Sequence, residues 1–74
     1  MNDDEDLSDA AERELHEQVK ALRQEHADLD AAIEALQALP VPDQLRIARL
    51  KRKKLALRDE IVRIEARILP DIIA

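Results

Sequence analysis

Apolar side chains recur along this chain at alternating steps of three and four residues, in two series that mirror each other about Pro40-Val41-Pro42. The first series runs through Leu15, Val19, Leu22, His26, Leu29, Ile33 and Leu36; the second runs through Ile47, Leu50, Lys54, Leu57, Ile61, Ile64 and Ile68. Each position has a mate whose number brings the sum to 83, from Leu36 with Ile47 at the break to Leu15 with Ile68 at the far end. Steps of three and four keep side chains on one stripe of a helix, and two mirrored stripes meet in register when the chain folds back at its prolines. The pattern predicts an all-α fold, an antiparallel two-helix coiled-coil hairpin.

Helix-stopping residues set the expected boundaries at a helix over 9–39, a turn over 40–42 and a helix over 43–69. Pro40 and Pro42 each lack an N–H and disfavour helical geometry in the preceding residue. Pro70 closes the second helix in the same way. Ser8 or Asp9 is positioned to cap the first helix, and Pro42 or Asp43 to open the second. Residues 1–12 hold Asp3, Asp4, Glu5, Asp6, Asp9 and Glu12 with no basic residue, so 1–8 is expected to be an acidic, disordered tail. The tail over 70–74 carries Ile72 and Ile73, which are expected to dock on their own subunit or a neighbour.

Size then changes the picture. In 74 residues, a hairpin gives each helix one partner, which makes a marginal core. With no cysteine and two isolated histidines, self-association into a helical bundle is the remaining remedy, as a homodimer or homotetramer. A second apolar line supports it: Ala48, Leu55, Val62 and Leu69 recur by sevens on α-helical positions away from the seam, and we assign them as the oligomer interface. Ala21, Ala27, Ala31, Ala32, Ala35 and Ala38 could let another helix approach closely, although alanine is also simply the best helix former.

Composition narrows the chemistry. Glycine is absent, where average usage of roughly 7% would give about five. Phosphate-cradling loops and nucleophile elbows need the backbone freedom of glycine and fall with it. No aromatic residue is present to stack a base or a sugar. Two helices enclose no cavity for a small-molecule substrate, so an enzyme is not expected, nor any cofactor. His16 and His26 lack the i,i+3 or i,i+4 histidine partner that would converge on a metal. No apolar run approaches a membrane span, and the acidic start is unlike a signal peptide; with no cysteine, a cytoplasmic setting is expected.

Two features retain functional interest. Lys54 and His26 occupy seam positions that call for apolar side chains, and with Asp30 they form a polar layer. Its structural reading is a register-specifying device in which the lysine stem packs and the ammonium reaches Asp30 or Glu25; a functional pocket is the alternative. The second feature is RIARLKRKKLALR, where Arg46, Arg49, Lys51, Arg52, Lys53, Lys54 and Arg58 occur without one acid, although the whole chain has a net charge of -5. These cations either answer acids of the first helix, through Asp30 with Lys51 or Arg58, Arg23 with Glu65 and Glu25 with Lys53, or contact an acidic protein, nucleic acid or other polyanion. The acidic tail could itself shield the basic segment, in its own chain or a neighbour.

The segment LKRKKLALRDEI over 50–61, preceded by EHADLDAAI over 25–33, resembles the YdcH-like family of small bacterial proteins. The pattern falls on His26, Leu29, Asp30, Ile33, Leu50, Lys51, Lys54, Leu55, Asp59 and Ile61, and covers roughly residues 15–69. The resemblance implies a bacterial, cytoplasmic helical hairpin without a known cofactor, and brings no activity with it. The function expected is therefore a structural or adaptor protein-interaction module, with polyanion binding through 46–58 as the alternative.

Overall fold

The computed structural model describes residues 3–68, with side chains over 9–68, so Leu69 and the 70–74 tail lie outside the described residues. Among these residues two helices are present, α1 over Asp3–Gln37 and α2 over Gln44–Ile68, packed against each other through Leu15 to Leu36 and Ile47 to Ile68. Among the described residues there is no strand.

Burial follows the mirrored series. Val19, Ile33, Ile47, Leu57, Ile61, Ile64 and Ile68 are buried, and Leu15, Leu22, His26, Leu29, Leu36, Leu50 and Lys54 are half-buried. Every other helical residue with a described side chain is exposed except Glu65. Heptad spacing thus determines which face meets the partner helix, and no helix is wrapped on a second side.

The helix ends differ from expectation. α1 opens at Asp3 rather than 9, which places Ser8 and Asp9 inside the helix and excludes them as its caps. Asp3, Asp4, Glu5 and Asp6 fall in the first turn of the helix, where the dipole favours acidic residues. α1 closes at Gln37 rather than 39, because Pro40 keeps Leu39 out of helical geometry. The chain leaves the helix through Ala38 N–H donating to the Glu34 carbonyl at 3.1 Å and Leu39 N–H to that of Leu36 at 3.3 Å, the second a tighter three-residue step.

α2 starts at Gln44 with Asp43 as its cap: the Asp43 carboxylate accepts the Arg46 N–H at 3.0 Å, and its carbonyl accepts the Ile47 N–H, also at 3.0 Å. No described residue takes a positive φ, so the turn makes no demand for glycine. No helix is long and apolar enough to cross a membrane among the described residues.

Candidate interaction groove

Toward the open end of the hairpin, Val19, Ile61, Ile64 and Ile68 form a buried cluster with Leu15 and Leu22 packed against it, and near the turn Ile33 and Ile47 are buried. In the middle the seam turns polar. Lys54 Nζ donates to Asp30 Oδ1 at 2.5 Å, reaching out of the seam while its stem fills the heptad position. His26 lies one layer away, with Nδ1 4.0 Å from Asp30 Oδ2, beyond hydrogen-bond distance. The hydrogen bond from Lys54 holds the Asp30 carboxyl below its ordinary range, helped by the positive field of Lys54 and His26 and opposed by desolvation. No described side-chain nitrogen or oxygen is buried without a partner in this layer or elsewhere. Lys54 and Asp30 thus satisfy each other at the edge of the seam, and His26 stands half-buried beside them.

The same flank holds an open groove of about 650 Å³ along α2. Leu55, Ile61 and Val62 supply its apolar surface, while Lys51, Lys54 and Arg58 line it from α2 and Arg23 and His26 from α1. Glu65 closes one end, where it pairs with Arg23. A shallower continuation toward the turn passes Ala27, Ala31 and Asp30 and shares Lys51 and Lys54. Leu55 and Val62 are each 56% exposed, so the second apolar line is an open surface, with Ala48 exposed alongside it.

The basic segment is less neutralised than the charge pattern allows. Arg23 meets Glu65 and Lys54 reaches Asp30, both as expected, but among the described residues Asp30 makes no pair with Lys51 or Arg58, nor Glu25 with Lys53. Among the described residues, Arg46, Arg49, Lys51, Arg52, Lys53 and Arg58 are exposed and have no ion pair. His16 is exposed, and no group of three or more His, Cys, Asp or Glu converges among the described residues.

Sequence reading missed the tip. Leu39, Val41 and Leu45 are 49%, 86% and 64% exposed and gather apolar surface around the turn. They escape a periodicity search because two prolines interrupt the helical spacing; counting apolar residues beside the helix stops would have found them.

The fold defines a class: small antiparallel helical hairpins. Within that class, the family model described as Protein of unknown function (DUF465) matches residues 19–65, more than half of the chain, and the chain belongs to this family. The match is consistent with the YdcH-like resemblance and covers the seam from Val19 to Ile64, the polar layer and the groove. It leaves the acidic start of α1 outside. No curated protein and no solved structure matches the chain.

Proposed function

We propose that this protein is a structural or adaptor module that self-associates through the groove face of α2. The observation that carries the reading is the pair Leu55 and Val62, each 56% exposed in a chain whose remaining α2 apolar stripe is used by the hairpin seam. Covering them would supply the second packing surface that a two-helix core lacks. Ala48 extends the same line toward the turn, and Leu69, outside the described residues, continues it in sequence. The assembly is a homodimer or homotetramer in a cytoplasmic setting, with neither catalysis nor a cofactor. The double variant Leu55→Asp with Val62→Asp should lower the native mass while leaving the helical circular dichroism largely intact. An unchanged mass would refute the interface.

A second reading draws on the unpaired cations of α2. Arg46, Arg49, Lys51, Arg52, Lys53 and Arg58 could hold nucleic acid or another polyanion by neutralising phosphates. Changing Lys51, Arg52 and Lys53 together to Gln should then abolish binding that was already steeply weakened by salt. Binding unchanged by these substitutions removes that reading.

A further inference from the structure

We infer that the basic groove of one protomer is the docking site for the acidic first stretch of α1, residues 3–14, from a second copy, so that two hairpins exchange these stretches reciprocally. This inference rests on the self-association reading and adds its occupant and register.

The seam fixes where the stretch lies. Leu15 is the first α1 residue packed against the buried cluster that ends at Ile68, and Asp9 through Glu14 are exposed. Residues 3–14 therefore overhang the last described residue of α2 by roughly 18 Å at about 1.5 Å per helical residue. The overhang carries Asp3, Asp4, Glu5, Asp6, Asp9, Glu12 and Glu14 against the single cation Arg13. On its seam side the heptad continues through Glu12, so the apolar stripe of the hairpin does not extend along it.

Its own groove is out of reach. The seam register sets the basic segment opposite α1 residues 25–37, so Asp9 lies roughly 24 Å short of that segment along the axis. α1 is continuous from Asp3 to Gln37 and offers no hinge at which the stretch could fold back. An intrachain shield over 46–58 is therefore excluded, and the neighbour arrangement remains.

A second copy satisfies both needs. The groove between Lys51 and Glu65 runs along α2 for roughly 21 Å, close to the length of the overhang. Its unpaired Lys51 and Arg58 offer positive charge to a stretch dominated by acids, and a helix seated there would cover Leu55 and Val62. A two-fold axis near α1 residue 17 brings each overhang onto the other groove with the rods antiparallel, so both sites form at once and the contact closes as a dimer. Charge complementarity selects this occupant over a self-paired α2 face centred on the basic segment, which would set like charges together.

The test uses two variants of the chain in sedimentation velocity at low salt. One reverses the stretch with Asp3→Lys, Asp4→Lys, Asp9→Lys and Glu12→Lys, which turns it from seven acids and one cation to three acids and five cations; the other reverses the groove with Lys51→Glu and Arg58→Glu. Asp9, Glu12, Lys51 and Arg58 are exposed, and circular dichroism of each variant checks retention of the helices. Wild type should run as a dimer that weakens by roughly tenfold or more as salt is raised to screen exposed charges. Each variant alone should run as a monomer, and an equimolar mixture should recover a heterodimer, because both of its stretch-groove contacts then join opposite charges. If either variant alone keeps the wild-type dimer mass, or if the mixture stays monomeric, the exchange is overturned. A wild type that is monomeric throughout overturns the self-association reading as well. If a multiple reversal unfolds, the single reversals Asp9→Lys and Arg58→Glu, which the two-fold places opposite each other, decide between the same outcomes alone and mixed.

Discussion

Toward its open end the seam is closed by Val19, Ile61, Ile64 and Ile68, whereas at its middle His26 and Lys54 share the heptad positions with Leu29 and Leu57, and Asp30, exposed on the flank, takes the Lys54 ammonium. The first region excludes water from branched aliphatic side chains, and its contribution is burial that specifies no particular alignment. The second gives up some burial for charged groups that meet only when α1 and α2 are correctly aligned. A slip of the helices by one heptad would still join aliphatic stripes, but would carry Lys54 away from Asp30. One region thus contributes burial, and the other an ion pair whose geometry depends on the alignment of the helices.

Substitution in the apolar cluster should have the largest effect. Ile61→Ala removes buried volume that two helices cannot refill, and should cost about 2–4 kcal/mol in thermal or denaturant unfolding. A cost below about 0.5 kcal/mol would mean that the cluster does not carry the fold. Removing the cap comes next: Asp43→Ala leaves the Arg46 N–H without its carboxylate and should cost about 1 kcal/mol.

In the polar layer the sign reverses. Lys54→Leu should stabilise the hairpin by about 1 kcal/mol, since an aliphatic side chain suits the seam and the abandoned Asp30 is solvated. It should also broaden the distribution of alignments, read as extra amide resonances in a heteronuclear NMR spectrum. A destabilised variant with a single set of resonances would contradict the register role.

Acid should act on the same layer. Folded Asp30 has a pKa below its ordinary value of 3.8, so between those two values the unfolded chain binds the proton more readily. Its contribution is present above that window and is lost as pH falls through it, and Asp30→Asn should flatten this part of the acid-unfolding profile. The smallest effect belongs to Glu65→Gln. That change breaks an exposed pair with Arg23 and should alter stability by less than about 0.5 kcal/mol.

The hairpin was legible because one physical rule, the three-four spacing of a buried stripe, acts along both helices. The seam positions from Leu15 to Leu36 and from Ile47 to Ile68 are buried or half-buried in the structure. Local rules predicted the Asp43 cap correctly but misplaced the start of α1. Ser8 and Asp9 resemble caps, yet no helix breaker separates them from Asp3, and the acids ahead of them suit the dipole.

The groove was legible only on one side. Spacing by sevens marked Leu55 and Val62, but nothing in sequence order brings Arg23 and His26 of α1 beside them; that requires the fold-back. Ion pairing was legible in part: Arg23–Glu65 and Lys54–Asp30 were expected and form, while Glu25 with Lys53 and Asp30 with Lys51 or Arg58 do not. Several acid-base pairs satisfy the same register, and the choice of Lys54 by Asp30 depends on side-chain reach. The family match over 19–65 covers the groove but not the acidic overhang, so the reciprocal exchange draws on residues outside that match.

The most direct test of self-association is sedimentation equilibrium of the unmodified chain over a wide concentration range at low and high salt. The account predicts a mass twice that of the 8.4 kDa chain at low salt, shifting toward the single-chain value on dilution and on addition of salt. A single-chain mass at every concentration would contradict it, and would leave Leu55 and Val62 as an open surface of a solitary hairpin.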